Sequence, residues 1–370
     1  MATRSDSQFS EIPLQPKDAA FSLIEAFHAD PFPQKVDLCP GFYRDENAKP
    51  WILPSVALAK QRLQADPSEA HHEHLPMQGH PKLLSGAREL VFGRDVELQR
   101  IASIQTVSGT GANHFAAQLL SEVIKPKNVW ISAPSWINHT EIWENVNDSI
   151  NKRFYPYYRK EDQSLDFTGM VDTLSSQSRP GDVVVLHACA HNPSGLDLSV
   201  EQWKTVASVC VEKKLFPLFD SAYQGFATGD LEKDAWAIRY FYGLSHLEFA
   251  VAQSFSKNFG IYGERIGALH LVVNSAEAAQ RTLGRLLRLQ RAQITSPPSY
   301  GAKIVATILS DEELFKQWLK DLDHMSGRIK QMRKRLYDEL KKRDTPGSWD
   351  HLLVEVTWFS SNLLLCHPSC

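Results

Sequence analysis

A lysine closing an apolar, strand-like run is the residue best placed for covalent chemistry. Residues 246–252 lead into Ser254-Phe255-Ser256-Lys257, and Arg265 follows eight positions later, just after Gly263 and Glu264. An amine flanked by small hydroxyl residues is suited to forming a Schiff base with an aldehyde. A glycine-spaced guanidinium is suited to holding a phosphate on the same ligand through two parallel hydrogen bonds. Taken alone, the stretch also fits a solvated surface lysine beside a structural ion pair.

Other candidates sit at the ends of further apolar runs. Asp220 follows Leu215-Phe216-Pro217-Leu218-Phe219, and an acid closing a buried strand needs a cationic partner or a raised pKa. Facing a pyridine ring it would keep the ring nitrogen protonated and make the ring an electron sink; its plainer role is a helix cap or turn former. Tyr223 and Asn192 could both hydrogen-bond a ring phenolate and so lower the pKa of a lysine imine. Their ordinary alternatives are a core tyrosine and an Asn-Pro turn. Trp136 offers a flat face for stacking, or is simply a core tryptophan. Ser108-Gly109-Thr110-Gly111 reads as a small-residue turn before a helix, where backbone N–H groups and the helix dipole make an anion site. His139, His187 and His191 lie in two separate loops without carboxylate or cysteine at ligand spacing, so hydrogen-bonding support is expected of them, and no metal.

The elements that must position these residues alternate. Residues 103–107, 129–132, 182–188, 215–219, 248–252 and 266–273 read as strands, with helices over 111–124 and after a Ser199…Gln202 capping box. Nearer the start, 19–29, 54–63 and 81–92 are helical in pattern, and 36–45 reads as a short strand entering a glycine turn. The expectation is an α/β fold: a mixed, mostly parallel sheet covered by helices on both faces, with the ligand where the strands' carboxyl ends meet. Beyond Ser310, the apolar positions Leu314, Trp318, Leu322, Met325, Ile329, Met332, Leu336 and Leu340 make one long helix leading to a second, smaller domain.

A net charge of −3 argues against a nucleic-acid or membrane-surface partner. No apolar run approaches the ~20 residues of a membrane span, and the first residues lack the apolar core of a signal peptide. Five scattered cysteines fit reduced thiols, hence a cytoplasmic protein.

Six segments occur together in order: Gly41-Phe42-Tyr43-Arg44-Asp45, Ser108-Gly109-Thr110-Gly111-Ala112, Pro134-Ser135-Trp136-Ile137-Asn138-His139, the run from His187 through Asn192 to Gly195, Asp220-Ser221-Ala222-Tyr223, and Ser254 through Lys257 to Arg265. In these the chain closely resembles the aspartate aminotransferases of the fold-type I pyridoxal-phosphate family, over roughly residues 18–352. The resemblance implies that Lys257 is the Schiff-base lysine and proton-transfer base, and that Asp220 pairs with the pyridinium nitrogen. It implies that Tyr223 and Asn192 bind the phenolate, Trp136 stacks on the ring, and Ser108, Gly109, Thr110, Ser254 and Arg265 hold the phosphate. Gly41 would give a backbone contact to substrate. Arg291 matches the arginine that crosses a dimer interface to the substrate's side-chain carboxylate, which implies a homodimer with shared active sites and a preference for dicarboxylic amino and oxo acids.

Two departures stand out. His74 occupies the place of a tyrosine that donates to the neighbouring subunit's cofactor phosphate. After Leu352 the motifs stop, and nothing matches the family's arginine for the substrate α-carboxylate, so the expectation is a small domain truncated at its C-terminus and impaired turnover. The corresponding division is 1–47, arm and start of the small domain; 48–310, cofactor-binding domain; 311–343, interdomain helix; and 344–370, remnant of the small domain with a divergent tail.

Overall fold

The structure is a computed structural model and describes residues 7–37 and 41–354. The chain forms two units, residues 1–42 and 43–370. In the first, α1 (Ala19–Ala29) is the helix expected from the sequence.

The second unit opens with α2 (Pro54–Ala65) and α3 (Pro81–Phe92), both begun by a proline whose missing N–H costs nothing in a first turn. β1 (Ile101–Val107) runs directly into α4 (Ser108–Val123). Then come β2 (Asn128–Ala133), α5 (Ile137–Val146) and β3 (Asn151–Pro156). A small hairpin, β4 (Tyr158–Arg159) with β5 (Ser164–Leu165), precedes α6 (Phe167–Gln177). β6 (Val183–His187), α7 (Val200–Lys213) and β7 (Phe216–Ser221) follow, and the Ser199–Gln202 capping box opens α7. Short α8 (Leu231–Asp234) and α9 (Trp236–Tyr242) lead to β8 (Phe249–Ser254) and β9 (Ile266–Val272). The rest is helical: α10 (Ala276–Gln293), α11 (Tyr300–Ser310), α12 (Glu312–Lys342) and α13 (His351–Val354).

Seven strands form one sheet in the order β1-β9-β8-β7-β6-β2-β3. β9 is antiparallel to both neighbours, and every other pairing between β8 and β3 is parallel. The carboxyl ends of six strands therefore share one edge with the amino end of β9. Side chains alternate between two buried faces. Val183, Val185, Leu218, Ala250 and Ala252 pack in the core that includes Phe115 of α4 and Leu286 of α10. Val184, Leu186, Phe219, Phe249 and Val251 pack with Trp203 of α7 and Phe241 of α9. Burial on both faces is why these strands read as unbroken apolar runs. A third core joins α2, α3, α11 and α12.

Three local expectations are corrected. Of the strand expected over 36–45, residues 38–40 lie outside the described residues. The others form no strand, and Arg44 makes only a single bridge to Pro50. The small-residue segment 108–111 is not a turn ahead of the helix but the first turn of α4; Ser108, at φ 60, takes the whole bend in one residue. The apolar stripe of α12 is buried only through Ile329, and Leu336 is exposed because no described core continues there. Periodicity does not reveal β3, since an edge strand with exposed Asn151, Arg153 and Phe154 lacks a buried apolar run.

Candidate active site

The sheet's shared edge gathers side chains far apart in sequence. Asp220 ends near the tip of β7, 6% exposed, in register with His187 of β6. Its Oδ2 accepts from His139 Nε2 at 2.9 Å, and His139 Nδ1 lies 3.0 Å from Ser135 Oγ. A carboxylate can only accept, so His139 Nε2 donates to Asp220, and the second ring nitrogen is tied to the Ser135 hydroxyl. Burial pushes the Asp220 carboxyl up. The hydrogen bond and charge of His139, with His187 and Lys257, outweigh it and hold the group below its ordinary range. Asp220 is a persistent buried anion aimed at the strand-end edge.

The other histidines divide. His191 is hydrogen-bonded to Ser132 and Ser194, both at 2.8 Å, and stacks on Tyr157 with centroids 3.7 Å apart. His187 meets no hydrogen-bond partner at either nitrogen, against the support expected of it. Burial, then His191 and His139, keep its pKa well below normal, so it is neutral. His139, His187 and Asp220 converge in the fold, a grouping that ligand spacing in the chain does not announce.

Lys257 lies three residues beyond β8, half-buried, its Nζ 4.9 Å from the centroid of the Tyr223 ring. Burial lowers its pKa, Asp220 partly restores it, and Arg265 lowers it further. A lysine whose charged form is disfavoured offers its neutral, nucleophilic amine at lower pH than an exposed one. The Tyr223 phenol is 4% exposed, and burial raises its pKa, so it is a proton donor at neutral pH.

Beside the lysine is a cradle of backbone and hydroxyl groups. Arg265 Nη2 donates to Ser108 Oγ at 2.6 Å, and Ser108 N–H donates to the Arg265 carbonyl at 2.9 Å. Both residues are left-handed, with φ 60 and 57, strain that is costly for side-chain-bearing residues and gathers at functional sites. The approach tolerates no added carbon. A Cβ on Gly109 would stand 2.8 Å from Ser254 Cβ, and one on Gly267 2.4 Å from the Ser108 carbonyl carbon. With Thr110 N–H at the start of α4, the exposed Arg265 guanidinium, and the Ser108 and Ser254 hydroxyls, the cradle fits a phosphate. An anionic acid for a ring nitrogen, a neutral-prone lysine and a phosphate cradle on one edge fit a phosphorylated pyridine aldehyde.

The remaining candidates occupy four places. Trp136 precedes α5, half-buried, its ring 5.2 Å from that of His139 and perpendicular to it. Asn192 is half-buried in the loop after β6, which Asp197 shapes by accepting from Ala190 N–H at 2.9 Å and His191 N–H at 3.2 Å. His74 and Arg291 are exposed, and their segments are tied together: Ser296 Oγ donates to the Leu75 carbonyl at 2.8 Å, and Gln290 Nε2 to that of Met77. Gly41 lies in the first unit, half-buried. Asp197 was not anticipated as a site-shaping residue; it is an ordinary polar residue whose partners only the fold supplies.

Arg265→Ala is expected to weaken pyridoxal phosphate binding by about 10- to 100-fold, the value of a bidentate charged contact. Titration of the cofactor-free protein checks this, and unchanged affinity would remove Arg265 from the cradle.

Comparison with known proteins agrees with this geometry. The family model for aminotransferase class I and II matches residues 33–361, continuing past the last motif recognised in the sequence. The chain is 46% identical over 356 residues to the L-tyrosine:2-oxoglutarate aminotransferase of Aspergillus ustus, covering 93% of this chain and 68% of that protein. It is 42% identical over 368 residues to the cytoplasmic aspartate aminotransferase of Saccharomyces cerevisiae, covering 96% and 86%. The solved structure of the aspartate aminotransferase from Saccharomyces cerevisiae cytoplasm superposes with a TM-score of 0.91 at 41% identity, over 95% of this chain and 87% of that one. An aromatic-amino-acid aminotransferase from Burkholderia pseudomallei, solved covalently bound to pyridoxal phosphate, matches at 0.89 and 36%, over 94% and 86%. Sequence likeness along nearly the whole chain and a sheet edge shaped for this cofactor lead to the same place: the chain belongs to the class I and II aminotransferases, a pyridoxal-phosphate-dependent family.

Proposed function

We propose that this enzyme moves the amino group of L-aspartate to 2-oxoglutarate, giving oxaloacetate and L-glutamate in two half-reactions. The observation that carries this reading is the Lys257 amine, depressed in pKa and held beside Tyr223 at the edge where Asp220 ends. The bound cofactor supplies a ring that accepts the electron pair left when the substrate's Cα–H bond breaks. Lys257 would carry the proton between substrate carbon and cofactor carbon, and Asp220, oriented by His139, would keep the ring nitrogen protonated. Tyr223 and Asn192 would donate to the ring oxygen, Trp136 would cover the ring face, and Ser108, Gly109, Thr110, Ser254 and Arg265 would hold the phosphate.

Arg291 would bind the second carboxylate of a dicarboxylic substrate, and Gly41 would contribute a backbone contact. A homodimer with shared active sites follows if Arg291 and His74 serve the neighbouring subunit. In support, both are exposed and their segments are bonded to each other. The domain division given above, with α12 joining the two domains, belongs to the same reading. A cytoplasmic location is supported by relatives so named, by free Cys189 and Cys210, and by the absence among the described residues of a helix long and apolar enough to cross a membrane. Of the tail expected to be divergent, residues 353–370, Leu353 and Val354 end α13 and residues 355–370 lie outside the described residues.

Adding aspartate to the cofactor-loaded protein tests the reading: the absorbance of the lysine-linked cofactor should fall while oxaloacetate accumulates. An unchanged spectrum counts against it. A second reading, an aromatic amino-acid donor, is favoured by the relative from Aspergillus ustus named for tyrosine. A substrate panel separates the two. Arg291→Ala should raise KM for aspartate and glutamate by about 10²-fold or more and leave aromatic donors within about threefold; an equal loss for both classes would deny Arg291 its role.

A further inference from the structure

Lys257 has no hydrogen bond to its own Nζ among the described residues, yet that atom stands at a defined place over the Tyr223 ring. Something other than its own polar contacts sets its position. The next residue, Asn258, is 1% exposed, and its Nδ2 donates at 3.1 Å to the carbonyl of Gln224, the residue after Tyr223. One hydrogen bond therefore ties the neighbours of the two side chains that face each other. Gln224 is itself pinned, its Nε2 donating to the carbonyls of Leu90 and Leu231. From the other side Trp318 of α12 donates its indole N–H to the Asn258 carbonyl at 2.8 Å, and its ring stacks on Phe259 with centroids 4.4 Å apart at 14°.

The clamp is held at a cost. Asn258 Oδ1 and Gln224 Oε1 are both buried without a hydrogen-bond partner, an arrangement that structural economy alone disfavours. The donor on Asn258 is what such a side chain provides in return, because the buried Gln224 carbonyl must have a partner.

We propose that Asn258 is a positioning residue for amino transfer: gripped by Trp318, it locks the Lys257 segment to the Tyr223 loop and so sets where the Lys257 amine stands. The long helix α12 is thereby joined to the reacting lysine through one indole and one amide. This rests on the reading of Lys257 given above.

The test uses two uncharged substitutions, which leave every charge near Lys257 in place. Asn258→Ala removes the clamp, and Trp318→Phe keeps the aromatic stack but removes the indole donor. Each full-length variant is loaded with pyridoxal phosphate, checked for native melting, and titrated by the visible absorbance of the lysine-linked cofactor. Both are expected to shift the pKa of that absorbance by about half a unit or more. They should lower kcat by about 10- to 100-fold, the cost of slight misplacement, with KM within about threefold. A folded variant with wild-type titration and kcat overturns the proposal, and Trp318→Phe decides it if Asn258→Ala does not fold. If wild type shows no lysine-linked absorbance, the reading of Lys257 falls and this proposal with it; if wild type shows it and the variants are unchanged, the proposal alone falls.

Discussion

Lys257→Ala is expected to lower kcat by about 10⁴-fold or more, because one substitution removes both the covalent anchor and the proton carrier. The effect is not one of stability. Lys257 is half-buried and has no hydrogen bond at Nζ among the described residues, so truncation leaves no acceptor orphaned. Its pKa is depressed, mainly by burial, and the sign of the linkage follows. Between the folded pKa and the unfolded value of about 10.4 the unfolded chain binds the extra proton, so the cofactor-free protein gains stability as pH rises through that window. Lys257→Ala should abolish that gain, and melting against pH measures it. Borohydride trapping followed by peptide mass analysis locates the covalent bond directly. A wild-type adduct on another lysine, or a variant retaining a tenth of the rate, would displace Lys257 from the centre of this scheme.

Asp220→Asn should cost about 10²- to 10³-fold in kcat, the scale on which a preorganised buried charge acts. The side chain keeps its size and only the charge leaves. The His139 ring then faces an amide rather than a carboxylate, and nothing holds a proton on the ring nitrogen of the bound cofactor. In the wild type the carboxyl sits below its usual range, so its charge is intact above an ordinary carboxylate pKa of about 3.9 and is lost only as pH falls through the lower folded value. The loss in Asp220→Asn should therefore be the same at every pH where the wild type works. A variant within tenfold of wild type, or one rescued by lowering pH, would mean that Asp220 does not tune the ring.

The sequence by itself determined the chemistry available and the local elements that carry it. Val183–His187 and Phe249–Ser254 are legible as strands because burial on both faces leaves an unbroken apolar run, and the Ser199–Gln202 box announces α7 because its hydrogen bonds close within four residues. The order of the motifs was enough to identify the family. Contacts between distant segments were not legible from spacing or periodicity, and only the family resemblance put Ser108 and Arg265 on one phosphate. Arg265 reaches Ser108, 157 positions away, because β9 runs antiparallel and brings its amino end to the edge where the other strands finish. His139 meets Asp220, and Trp318 meets Asn258, for the same kind of reason. Local propensity and periodicity act over a few residues, whereas strand order and direction are settled by how whole faces bury against one another. Residue types decided what could react; packing of the sheet and its helices decided which of them meet.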